Sequence, residues 1–190
     1  MEAIDLLRTR RSVVVQKLSD PGPNTEQLAN IIEVGMRVPD HGKIGPWRIQ
    51  IITDKGKRQL GNVFSAEFKK KHGERATDTM LEFERNRPHR APVLLVVTSK
   101  IQLPHKIPEI EQRLSGGALC MNILNASHAL GFSAQWLTEW VAYSLPIKQA
   151  LGHDSSADII GMIYIGTSFE ESKKRERPSI EKIVSEWTSS

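Results

Sequence analysis

The sequence predicts a mixed α/β or α+β fold, with about four strands in a single domain spanning residues 1–190. Three observations carry this. Segments with apolar residues at helical spacing alternate with four short runs rich in β-branched residues. One central helical stretch, GGALCMNILNASHALG, is apolar nearly all round and belongs in the middle of the fold. No linker divides the chain, and it contains no repeat or low-complexity segment.

The elements follow in order. Residues 2–9 place Ile4 and Leu7 at helical spacing beside Ala3 and Leu6, which predicts a short amphipathic helix. Arg8, Arg10 and Arg11 collect where that helix ends, as its dipole favours. Ser19-Asp20-Pro21-Gly22-Pro23 is a break. Asn24 or Thr25 caps a second helix with Leu28, Ile31 and Ile32 on its apolar face, stopping near Pro39. Arg48 to Thr53 has strand composition. A third helix follows Asp54, with Leu60, Val63, Phe64 and Phe68 on one side, and a fourth spans Thr77 to Arg85.

Pro92 to Val97 reads as a strand buried on both faces, because its β-branched content and bounding prolines outweigh the helical alternative. Ile107 to Leu130 is the longest helix, stopped by Gly131. Phe132 to Leu137 is a strand, Pro146 to Leu151 a short helix, and Ile159 to Ile165 another buried strand.

Composition narrows the function classes. The chain is 39% apolar and 25% charged, the balance of a soluble globular protein. No apolar run approaches the ~20 residues of a membrane helix, and the N-terminus lacks signal-peptide order. The single cysteine, Cys120, excludes an internal disulfide framework and makes the cytoplasm the expected compartment. Cys120 lies in an apolar helix and reads as inert core rather than a nucleophile.

The net charge of +4 is mildly basic. Part of it sits in Lys69-Lys70-Lys71, which reads as a solvated patch, and part in the run from Lys173 to Arg177. The basic residues form no stripe with interleaved aromatics, so a nucleic-acid partner is not expected. The six histidines form no i, i+4 pair and have no cysteine at ligand spacing, so no metal centre is expected. No GxGxxG or GxxxxGK[ST] motif is present, and Gly116-Gly117 falls inside a helix, where it permits close packing.

Two basic clusters remain at opposite ends of the chain. Arg10-Arg11-Ser12 offers guanidinium forks and a hydroxyl, which suit phosphate oxygens, but taken alone the commoner explanation is two arginines at an exposed helix end. The tail run through Arg175 and Arg177 would complete an anion site only if the fold brings the two together. Between them, Met36 to Trp47 is a loop dense in special residues. There His41 is a candidate donor to a ligand, and Trp47 a candidate anchor for the next strand.

Five segments together resemble the nitroreductase family, especially its small single-domain bacterial members. They are RTRRSVVV, GMRVPDHGKIGPW, GGALCMNILNASHALGFSAQW, IIGMIYIGTS and KKRERPSIEKIV, in family order and spanning nearly the whole chain. The resemblance implies an α+β three-layer sandwich around a mainly antiparallel sheet. It also implies a homodimer that exchanges C-terminal segments, with Ile180 to Val184 adding a strand to the partner's sheet.

Its implied cofactor is FMN, held by Arg10, Arg11 and Ser12, by Arg37 and His41 from the other subunit, by Trp136, Leu137 and Thr138 at a strand end, and by Arg175 and Arg177. NAD(P)H would meet Ala126, Ser127, His128, Ala129, Leu130 and Gly131. The implied reaction passes hydride through the flavin to a nitroaromatic or quinone, with no obligatory catalytic side chain. The alternative is a flavin carrier, or a specialised flavoenzyme with another substrate. Two positions depart from the family pattern. Gly45 stands where many relatives have an amide side chain, and Leu137 where the nearest have a basic residue.

Overall fold

The computed structural model describes residues 2–170 and 175–188. Lys173 and Lys174 of the basic tail lie outside the described residues. The chain enters through α1 (Ala3–Thr9), whose Ile4 and Leu7 stay exposed. α2 (Thr25–Gly35) begins with the cap that its sequence suggests. Asn24 Oδ1 accepts from the Gln27 amide at 2.9 Å, and Gln27 Oε1 accepts from the Asn24 amide at 3.0 Å. β1 (Trp47–Ile51) ends two residues before the sequence boundary, because Thr53 is used as the cap of α3 (Asp54–His72).

Lys69, Lys70 and Lys71 fall in the last turn of α3, exposed at the end that favours positive charge. α4 (Asp78–Asn86) crosses α3 at Gly61, where a Cβ would sit 2.1 Å from the Arg85 carbonyl oxygen. The buried Lys57 Nζ donates to the carbonyls of Ala91 and Pro92, at 3.0 and 2.6 Å, and ties α3 to the start of β2 (Val93–Lys100).

α5 (Glu109–Ala129) starts two residues later than its pattern suggests, since Pro108 stands in extended geometry at its head. β3 (Ser133–Leu137), α6 (Leu145–Ala150) and β4 (Ala157–Gly166) complete the core. The sheet has the order β1-β2-β4-β3, and every described pairing is antiparallel.

The two central strands, β2 and β4, are buried on both faces, which is why both read as continuous apolar runs. Leu94, Val96, Met162 and Tyr164 point to one side and pack against Leu60 and Phe64 of α3 and Ile147 of α6. Leu95, Val97, Ile163 and Ile165 point to the other, against Ile31 of α2 and Leu119, Cys120 and Ile123 of α5. The result is the expected α+β sandwich of helices, sheet and helices, with α5 central. Gly116 and Gly35 let it lie close: a Cβ at Gly116 would meet Ile160 at 3.0 Å, and one at Gly35 would meet Ile123 at 2.6 Å. Burial pushes the Cys120 thiol up to about 12, so it is an inert core group.

In the single chain, Ile180–Ile183 forms one helical turn, α7, closed by the Val184 amide donating to the Ile180 carbonyl at 2.9 Å. Ile180, Ile183, Val184 and Trp187 are left exposed. Among the described residues, no helix is long and apolar enough to cross a membrane.

Candidate functional site

The end of α1 and the distant tail converge. Arg8, Thr9, Arg10, Arg11, Arg175 and Arg177, with Leu7, line a groove of about 700 Å³. The Nε and Nη1 atoms of both Arg10 and Arg11 are covered from solvent and have no hydrogen-bond partner among the described residues. Buried donors without partners are rare, and buried unpaired charge is costlier still. Arg10 is held below the ordinary arginine value by burial first, then by the charges of Arg11 and Arg177. These guanidinium groups repel one another, and the groove they line suits an anion.

In a second cavity, of about 590 Å³ where β2 ends and β4 begins, the lining arginine is paired. There Arg113 meets Asp158 at 2.8 Å and also pairs with Glu109.

Ser12 is exposed beside the groove, and the next residues dock on β3. The Val13 amide donates to the Ala134 carbonyl at 3.2 Å, and the Val15 amide to Gln135 Oε1 at 2.7 Å. The Arg10–Ser12 segment is thereby tied to the strand that ends in Trp136, Leu137 and Thr138. Trp136 uses its indole inward: Nε1 donates to the Ile160 carbonyl at 2.9 Å, over Gly161, whose absent Cβ would collide with the ring at 2.2 Å. Leu137 packs against the core on the α3 side, so this position faces apolar neighbours. Thr138 Oγ1 accepts from the exposed Tyr143 hydroxyl at 3.4 Å. Trp136, Leu137 and Thr138 are each half-buried at this strand end.

Directly after Thr138, Glu139 stands at φ +52°, ψ −174°. This conformation is nearly confined to glycine and costs on the order of 1–3 kcal/mol. Arg90 Nη1 donates to both of its carboxylate oxygens at 3.0 Å. Arg87 Nη1 lies 2.5 Å from Oε1, close enough for an ion pair though off the line of a straight hydrogen bond. Burial alone would raise the Glu139 carboxyl, but the hydrogen bonds and charges of Arg87 and Arg90 prevail and hold it below its ordinary value. Glu139, Arg87 and Arg90 were not singled out in the sequence, which carries no sign of this geometry.

Arg37 and His41 are exposed and line no part of the arginine groove. His41 Nδ1 sits 2.6 Å from Glu111 Oε2, beside a smaller groove formed with Pro39, Leu114, Ser115 and Ala118. The loop between them is braced. Trp47 Nε1 donates to Ser115 Oγ at 2.9 Å, and Ser115 Oγ donates to the Pro39 carbonyl at 2.6 Å. Gly45 stands at φ +52°, and its amide donates to Asp40 Oδ2 at 2.9 Å within the loop.

The last turn of α5 divides in two. Ala126 and Ser127 are buried, and Ser127 Oγ donates to the Ile123 carbonyl at 2.8 Å, so neither side chain is available to a nucleotide. Ala129, Leu130 and Gly131 are exposed. His128 lies between, with Nε2 covered and unpartnered. Burial, then the charge of Arg10, brings His128 down to about 4, against weak opposition from the Arg11 main chain.

The sign of this shift sets a pH dependence. Between about 4 and the ordinary histidine value near 6.5, the unfolded chain binds a proton that the folded chain refuses. Stability without ligand therefore falls as pH drops through that window, by on the order of 2–3 kcal/mol. We expect His128→Asn to flatten the urea-unfolding free energy between pH 7 and 4.5; an unaltered slope would refute the assignment.

The fold defines a class, the α+β sandwich of helices, sheet and helices with an arginine-lined groove at one end. The family model described as "Nitroreductase family" matches residues 7–167, and the chain belongs to that family. It is 34% identical over 170 residues to "Putative NAD(P)H nitroreductase YdjA" of Escherichia coli K12, covering 88% of each chain. It is 33% identical over 182 residues to a Haemophilus influenzae protein described in the same way, covering 93% of this chain and 94% of the other.

Solved structures share the fold. A nitroreductase-like family protein from Bacillus cereus superposes with a TM-score of 0.80 at 19% identity, over 97% of this chain and 95% of that one. A nitroreductase solved in complex with FMN, from Desulfovibrio desulfuricans, superposes with a TM-score of 0.74 at 22% identity, over 100% and 99%.

Proposed function

We propose that this chain is a cytoplasmic FMN-dependent NAD(P)H oxidoreductase, one domain long and active as a homodimer, which reduces nitroaromatic or quinone-type acceptors. The observation that carries this is the set of covered, unpartnered guanidinium nitrogens of Arg10 and Arg11 beside Arg175 and Arg177. A phosphate is the group that such a set accommodates, through charge-assisted and bidentate hydrogen bonds. The family and the FMN complex of a structural neighbour support reading that phosphate as the tail of a flavin.

On this reading, Arg10, Arg11, Arg175 and Arg177 neutralise the phosphate, and Ser12 adds a neutral donor. The main chain of Trp136, Leu137 and Thr138 lines the ring. Arg37 and His41, which line no part of this chain's own groove, serve the partner's flavin, so the site is complete only in the dimer. Bound FMN supplies the redox chemistry, taking hydride from NAD(P)H and giving it up to an electron-poor acceptor in alternation. No side chain is assigned as proton donor. The exposed end of α5, Ala129 to Gly131, and the neighbouring His128 are assigned to the nicotinamide nucleotide.

The decisive measurement is the absorption spectrum of the purified protein. We expect a yellow protein with one FMN per chain, bleached by NADH or NADPH and recoloured by a nitroaromatic. Protein that stays colourless after incubation with FMN would refute the reading. Bleaching without recolouring by any nitroaromatic or quinone would leave a flavin carrier or a different substrate.

A further inference from the structure

Glu139 combines two properties that rarely coexist: a backbone conformation that side chains disfavour, and a carboxylate fully engaged inside the chain. The partners are anchored away from the site. Arg87 is buried and gripped from its other side by Glu84, whose oxygens accept from Nε and Nη2 at 2.6 Å each. Arg87 and Arg90 also both stand over the Phe83 ring, 5.4 and 5.1 Å from its centroid. The clamp is therefore continuous with α4 and the turn that follows it. With both oxygens spoken for, the carboxylate is not what a ligand would meet, and ending a strand requires no ion pair. What the clamp does accomplish is to hold one residue of main chain, immediately beyond Thr138, in a state it would otherwise leave.

We infer that Glu139 is a positioning residue: the Arg87–Glu139–Arg90 clamp fixes the main chain of Trp136, Leu137 and Thr138 in the orientation that lines the flavin ring. This rests on the flavin reading above. A glycine adopts the backbone state freely, so the clamp is this chain's means of holding a non-glycine residue there.

Glu139→Gly and Glu139→Ala separate this role from simple charge neutralisation, because both leave Arg87 and Arg90 without the carboxylate while only glycine tolerates the backbone. The readouts are FMN dissociation constants from flavin fluorescence, the visible circular dichroism of bound FMN, and urea unfolding to verify that each variant folds. We expect the glycine variant to bind FMN within about threefold of the parent with an unaltered spectrum. The alanine variant should bind about tenfold more weakly with an altered spectrum, the penalty of a left-handed backbone at a side-chain-bearing residue.

Equal losses in the two variants, or none in either, would overturn the inference. A parent protein that takes up no FMN would instead overturn the flavin reading, and the inference with it. If the alanine variant does not fold, Arg90→Met removes half of the clamp and leaves residue 139 intact. A severalfold loss of FMN affinity with a changed spectrum supports the inference, and an unchanged spectrum and affinity refute it.

Discussion

Replacing Arg10 with methionine is expected to weaken FMN binding by about 10–100-fold, the range for losing hydrogen bonds to a charged group, while raising the melting temperature of the FMN-free protein. The two effects have one cause. Methionine keeps an unbranched stem and removes a guanidinium whose Nε and Nη1 have no partner among the described residues. Arg10 is also disfavoured by burial and by the charges of Arg11 and Arg177, so its removal relieves that repulsion. A ligand phosphate reverses the balance by supplying the missing acceptor. The check is a pair of measurements on one variant: FMN titration by fluorescence, and thermal unfolding of the stripped protein. Unchanged FMN affinity would remove Arg10 from the site; a lowered melting temperature would show that it has a structural partner instead. Either effect should shrink as salt is raised, to the extent that the groove remains solvent-connected.

Glu84→Ala should cost about 3–5 kcal/mol of stability, the usual penalty for leaving one half of a buried ion pair behind. Both carboxylate oxygens accept from Arg87, and Oε2 also accepts from Trp140 Nε1 at 3.2 Å. The side chains of Glu84 and Arg87 are each only 5% exposed, so water cannot substitute for the lost partner. Glu139 still neutralises Arg87 in part, which places the loss at the lower end of that range. Urea unfolding at neutral pH measures it. A change below about 1 kcal/mol, the level of an exposed pair, would mean that the pair is solvated in solution.

Acid should weaken the same region. Glu139 sits below its ordinary carboxyl value, so its contribution is present at neutral pH and is lost as pH falls through its depressed folded value.

Local structure was the most legible part of the fold. Asn24 reads as a cap because a short amide at that position, three residues before Gln27, can satisfy two helix-end donors reciprocally. The run Val93 to Val97 is apolar at every position because both faces of its strand are covered, and α5 is apolar all round because it lies against both the sheet and α2. Element ends were less legible, since Thr53 serves either as a strand residue or as a helix cap and only packing decides. The tail is legible only as composition: Ile180 to Val184 carries apolar residues that stay exposed on a helical turn of the single chain.

The candidate site divides along the same line. The sequence by itself determined the family, the α+β class and the residue types able to hold a phosphate: Arg10, Arg11, Arg175 and Arg177 are each visible as chemistry. It could not determine that residues some 165 positions apart share a groove, because their meeting depends on how α1 and the tail leave the sheet. Nor could it show that the guanidinium nitrogens are covered and unpartnered, that His128 is held neutral, or that Glu139 is clamped in a glycine-like conformation. Each of these is a property of burial. A charge becomes informative only when its surroundings remove water and fail to supply a partner, and that is decided by tertiary packing rather than by the order of residues.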